Sequence, residues 1–242
     1  MIFAARRVCF AALLLATSDA YARNQVAVYL TTNTTVPELE RALRADDALK
    51  ELEPIVYSKF SEFLAAQEAE SARVVIVPAA FLKYHKGYQP VLQLTREGKT
   101  EQPYLLLSVH PKWGKTATAQ GAIGVVDEVG RDPTKQLVEE IAGELKFARV
   151  KLVKRVKDLV LMLALDDADY IYISPENYEN VKETFSVKTT VVDKSLPVGF
   201  PVVCVRDTDP KAAAEAVAKL GPKTLAILGF DGVKPYVAKA AR

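Results

Sequence analysis

The run Ile55-Val56-Tyr57-Ser58 leads through an amphipathic stretch to Arg73-Val74-Val75-Ile76-Val77-Pro78. About a hundred residues later, Lys151-Leu152-Val153-Lys154 leads through another to Asp169-Tyr170-Ile171-Tyr172-Ile173-Ser174-Pro175. Each copy reads as strand, helix, strand. Val74–Val77 has no polar face, as expected for an interior strand of a mostly parallel sheet covered on both sides. One more strand and helix precede each copy: Val26–Leu30 opens the first half and Ala122–Val126 the second. A repeated α/β phrase predicts two lobes, each a mostly parallel sheet flanked by helices, facing each other across a cleft. Such clefts hold small ligands.

Around this frame, Leu39, Ala42 and Leu43 recur at helical spacing and predict a helix over 36–52. Phe60, Phe63 and Leu64 mark the buried stripe of the next, from about Lys59 to Glu68, with Ser58 placed to cap it. Strands at Val91–Leu94 and Tyr104–Val109 are expected to complete the first lobe, joined by an exposed hairpin turn at Arg96-Glu97-Gly98-Lys99. His110-Pro111-Lys112-Trp113-Gly114-Lys115 then reads as a crossing between lobes, and Lys194–Gly199 as a second. The expected division is 23–109 with 198–242 in one lobe and 110–197 in the other. In the second lobe, Asp132-Pro133 is a natural N-cap and first-turn pair.

The N-terminus carries a targeting signal. Arg6 and Arg7 precede the apolar run Val8–Ala16, and Ala20-Tyr21-Ala22 has the small-x-small form of a cleavage site. The run is too short to span about 30 Å of hydrocarbon, so a cleaved leader over 1–22 is expected rather than an anchor. The mature chain would begin at Arg23 and be periplasmic or secreted. Removing Arg6, Arg7 and Asp19 leaves 30 basic and 29 acidic residues. That balance argues against nucleic acid, which needs a basic surface to displace counterions. Of the two cysteines only Cys204 would remain, in the strand-like run Val202–Val205, and it reads as a buried core thiol.

Enzyme signatures are missing. His85 and His110 have no metal-ligand spacing and read as surface or loop residues. No Gly-x-Ser-x-Gly elbow, Walker loop or Rossmann fingerprint appears. No catalytic residue, metal or cofactor is therefore expected. A binding site is. In parallel α/β sheets, ligands sit outside the carboxyl ends of the strands, where helix N-termini offer free N–H groups. The first lobe then offers Thr31, Thr32, Asn33, Thr34, Ser58 and Ala79. The second offers Asp127, Gly130, Arg131, Thr134 and Ser174, with Tyr178 beyond it to stack on a ligand. Thr and Asn between strand and helix are also good N-caps, and one residue can do both.

The strand–helix layout, the Ala122–Asp127 strand ending in aspartate, and the closing Leu228-Gly229-Phe230-Asp231-Gly232 resemble the phosphate/phosphite/phosphonate substrate-binding proteins of ABC transporters. The resemblance implies a type 2 periplasmic-binding-protein fold, a hinge, and a ligand delivered to a membrane permease. That family follows the aspartate with a serine/threonine-glycine loop. Here the stretch is Asp127-Glu128-Val129-Gly130-Arg131-Asp132, in which carboxylates replace hydroxyls and only Gly130, Arg131 and the nearby Thr134 suit an anion. The expectation is a monomeric solute-binding protein for a small polar ligand, a phosphonate-like oxyanion among the candidates. The alternative is a ligand sensor or interaction protein on the same fold, partnered by a membrane sensor kinase.

Overall fold

The computed structural model describes residues 25–32, 34–69, 72–109, 119–185, 187–206 and 210–238. The expected leader and cleavage site, Asn33, His110 and the expected crossing at 110–115 lie outside the described residues. The first half runs β1 (Gln25–Val28), α1 (Val36–Arg44), β2 (Glu53–Val56), α2 (Phe60–Glu68), β3 (Val74–Val77), the single turn α3 (Phe81–Tyr84) and β4 (Gln89–Thr95). Then come β5 (Glu101–Ser108), β6 (Ala122–Val126), α4 (Arg131–Ile141), β7 (Arg149–Val153), α5 (Val156–Ala164), β8 (Tyr170–Ile173), α6 (Pro175–Val181) and β9 (Thr190–Gly199). The chain closes with β10 (Val202–Val205), α7 (Pro210–Ala218), α8 (Pro222–Leu228) and β11 (Gly232–Pro235).

These strands form two sheets, β11-β4-β10-β3-β1-β2 and β7-β6-β8-β5-β9. In each, the repeated phrase and the strand before it supply three parallel strands: β2, β1 and β3 in the first, β7, β6 and β8 in the second. The strands added beside them are antiparallel neighbours, so both sheets are mixed. The parallel strands β1, β3 and β8 are buried along their whole length, because helices cover both faces. Each sheet therefore carries two apolar clusters, one per face. Among the described residues no helix is long and apolar enough to cross a membrane.

Several local expectations are corrected. The strand at Glu101–Ser108, expected in the first lobe, pairs with β8 and β9 in the second sheet. The Arg96–Lys99 turn is real, with Glu97 and Gly98 both at positive φ, but it is the departure point from the first sheet. Lys194–Gly199 is no crossing either. It is part of β9, which pairs with β5 from Thr190 to Gly199. The return crossing is Phe200-Pro201. The two crossings are tied together: the Phe200 N–H donates to the Thr100 carbonyl at 2.8 Å, and the Gln93 amide donates to the carbonyls of Thr100 and Phe200. The periodicity over 36–52 breaks at Arg44, because Asp46 caps a separate 3₁₀ turn, Asp47–Leu49, by accepting the Ala48 N–H. Lys59, not Ser58, occupies the N-cap of α2, and Ser58 is exposed. Helix α4 starts at Arg131 after Gly130, whose φ of 94° turns the chain. Asp132 and Pro133 therefore fall inside its first turn.

Candidate functional site

The carboxyl ends of β1, β6 and β8 meet between the sheets. A cavity of ≈ 360 Å³ lies there, beside the two crossings. One wall is the loop after β1, with Leu30, Thr31, Thr32 and Thr34. The opposite wall is Ser174, Asn177 and Asn180 at α6, with Glu128 from the loop before α4 and Thr134 from the first turn of α4. The crossings supply Arg96 and Phe200, and the adjoining ends of β5 and β9 supply Gln102 and Gly199.

Local chemistry shapes each wall. Thr32 Oγ accepts the Thr34 N–H at 2.8 Å, and Thr34 Oγ donates to the Ile227 carbonyl at 3.1 Å, pinning the loop to α8. Thr35 follows as the N-cap of α1, its N–H and hydroxyl both bonded to the Glu38 carboxylate. In the second lobe Thr134 Oγ donates to Asp127 Oδ1 at 3.0 Å and accepts the Val129 N–H at 3.3 Å, which fixes the loop between them. Ser174 caps α6 by accepting the Asn177 N–H.

Among the described residues, three charged side chains line the cavity: Arg96, Glu128 and Glu176. Arg96 is committed. Its Nε donates to the Gly229 carbonyl at 2.9 Å, its other nitrogens reach Gln102 and the Glu176 carboxylate, and its planar face covers the Phe200 and Phe230 rings. Glu128 is only 9 % exposed. It accepts the Tyr104 hydroxyl at 2.9 Å and bonds the Thr31 hydroxyl across the cleft. Burial pushes its carboxyl above the ordinary glutamate range, and the neighbouring Asp127 adds to the effect. The two hydroxyl bonds oppose both.

The lobes also touch beside the cavity. Val129, from the second lobe, is fully buried in an aromatic cluster of the first that includes Tyr29, Phe60, Phe63 and Phe81. The Tyr29 hydroxyl donates to the Asp127 carbonyl at 3.0 Å, and burial raises its pKa. Gly130 lies so close to Phe60 that a Cβ would approach the ring to 3.3 Å. At the surface Lys83 pairs with Glu140 between α3 and α4.

The residues proposed from sequence divide accordingly. Thr31, Thr32, Thr34, Thr134 and Ser174 line the cavity. Asp127 and Gly130 hold the loop beside it. Ser58, Ala79, Arg131 and Tyr178 are not among its described lining residues. Arg131 is exposed, Ala79 packs close to Gly199, and Tyr178 packs on Phe185. Arg96, Gln102, Tyr104, Asn177 and Asn180 were not singled out. Arg96 had only the signature of a surface turn, and its role comes from the chain crossing at that point.

No protein-family model matches the chain, and no curated protein matches it. Solved structures do. A binding-protein component of an ABC phosphonate transporter from Pseudomonas aeruginosa is 12% identical, with a TM-score of 0.65 over 88% of this chain and 82% of that one. A Xanthomonas citri protein bound to ATP is 13% identical, with a TM-score of 0.60 over 88% and 92%. A mutant of arginine-bound ArgBP from T. maritima is 9% identical, with a TM-score of 0.53 over 89% and 98%. The chain thus has the two-lobed fold of periplasmic binding proteins.

Proposed function

We propose that this protein captures a small polar solute between its lobes and closes around it, as an exported solute-binding protein serving a membrane partner. The observation that carries this reading is the ≈ 360 Å³ cavity between the strand ends of two separate sheets, rimmed by the Thr31, Thr32, Thr34 and Ser174 hydroxyls. Among the described residues two crossing segments join the sheets, which suits hinge closure around a ligand. Export follows from the leader that the sequence predicts over 1–22, with cleavage before Arg23. An ABC permease is the partner that solute delivery calls for. The charges in this cavity do not favour an oxyanion: Arg96 is already paired and Glu128 is acidic. One observation favours a second reading, a sensor or interaction protein. Val129, from the second lobe, is buried among aromatic rings of the first and couples the lobes directly.

Thermal unfolding and calorimetry against oxyanions, phosphonates, amino acids and amines test the reading. At least one class should raise the melting temperature. Thr31→Ala should weaken that ligand by about 1 kcal/mol, the usual net worth of a hydrogen bond. Arg131→Ala should leave it unchanged. If no compound shifts the transition, solute capture is wrong and the second reading stands.

A further inference from the structure

The cavity has an unequal balance of charge and a second, apolar region. Arg96 and Glu176 neutralise each other, which leaves Glu128. Among the described residues no cation pairs with it. Its bonds come from neutral hydroxyls, those of Tyr104 and Thr31. Carboxylate oxygens together accept about four hydrogen bonds, so acceptor capacity remains. A buried carboxylate without a cation is expensive, and Asp127 beside it adds a like charge. An oxyanion entering here would meet that carboxylate. An ammonium group would supply the missing charge. Beneath the polar rim, the cavity continues along the apolar Val125, Leu137, Val138, Ile141 and Val198, between α4 and the second sheet, with the buried Tyr172 hydroxyl, unpaired among the described residues, beside them. A fully polar solute would leave this floor unsatisfied.

We infer that the solute is a small organic cation, a primary amine on an apolar body, with its ammonium on Glu128 and its body on the floor beside α4. This rests on the reading of the cleft as a ligand site. The two regions make separate demands. Glu128 selects for positive charge, and the floor selects against a bare polar head such as ammonia or methylamine. Affinity should fall as pH is lowered, because protonation of Glu128 removes the charge that the ammonium needs. Burial sets that fall above the ordinary glutamate range.

Calorimetry with 2-phenylethylamine, 3-phenylpropanoate, 2-phenylethylphosphonate and methylamine provides the test. The phenyl amine should bind about tenfold or more tightly than both anions and than methylamine, as expected for a charge-assisted hydrogen bond combined with apolar burial. Glu128→Gln preserves shape and should cost the phenyl amine about tenfold. Leu137→Phe, which fills part of the floor, should weaken it independently. Circular dichroism on both variants checks that they fold. Equal or tighter binding of the anions, or an amine affinity indifferent to Glu128→Gln, overturns the inference while the cleft reading survives. If these probes and the wider panel all fail to bind, the cleft reading falls with it.

Discussion

Glu128 is a side chain on which stability and recognition pull in opposite directions. Its carboxyl sits above the ordinary range in the folded protein, chiefly through burial. The folded state therefore binds more protons than the unfolded one. This group's contribution to stability is full in acid, declines as pH rises through the ordinary glutamate range to the raised value, and levels off above it. Glu128→Gln keeps an acceptor for the Tyr104 hydroxyl and removes the buried charge. It should stabilise the protein at pH 7.5 by on the order of 1 kcal/mol and change little at pH 4. Denaturant titrations at the two pH values check this. A variant less stable than wild type at pH 7.5 would show that the carboxylate is held by more than its two hydroxyls. Cys204 is the quieter counterpart. It is fully buried in β10, burial pushes its thiol up to about 12, and it behaves as the core residue that its apolar neighbours suggest.

The loop between β6 and α4 carries much of the second lobe's contribution, and Thr134 organises it. One hydroxyl donates to Asp127 and accepts from Val129, bridging both ends of a four-residue turn. Thr134→Val keeps the volume but deletes both bonds in a buried place. It should cost about 1–3 kcal/mol, the penalty for leaving buried polar groups unpaired. Thr134→Ser should cost less than 1 kcal/mol, and chemical denaturation of the two variants separates the hydroxyl from its methyl group. At this scale the sequence was most readable where the signal is local. The buried strands Val74–Val77 and Tyr170–Ile173 are four-residue apolar runs, and nothing but an interior strand suits them. The β5 strand was legible as a strand but not in its placement. An antiparallel partner is chosen by long-range packing, and Glu101–Ser108 fits either sheet by pattern. The same holds for Arg96, whose neighbours Gly229, Glu176 and Phe200 lie 80 or more residues away. The hydroxyl wall of the cleft was legible because strand-end position follows from the β/α order itself. The position of Arg131 was not, because Gly130 starts α4 earlier than the Asp132-Pro133 pair suggested.

Across the whole molecule, the relation between the lobes is set by few contacts, and Val129 is the most demanding of them. A valine at the tip of one lobe's loop is fully buried among the other lobe's aromatic rings. The Lys83–Glu140 pair is solvent-exposed and contributes at most about 1 kcal/mol. Fully burying a valine is worth about 1.5–3 kcal/mol, so the plug outweighs the ion pair in holding the lobes together. The Tyr29 hydroxyl bond to the Asp127 carbonyl directs the plug but adds only about 1 kcal/mol. An aspartate at position 129 would bring an unpaired charge among Tyr29, Phe60 and Phe63, whereas an open cleft would leave it in water. Val129→Asp should therefore shift the population toward separated lobes, with each sheet still intact. Small-angle scattering should show a larger radius of gyration, and far-ultraviolet circular dichroism should be unchanged. Val129→Ile, which keeps the apolar plug, should scatter like the wild type. Should Val129→Asp scatter identically to wild type, the lobes are held by the hinge segments and by the Thr31–Glu128 and Arg96–Glu176 contacts, and the plug is not what sets their separation.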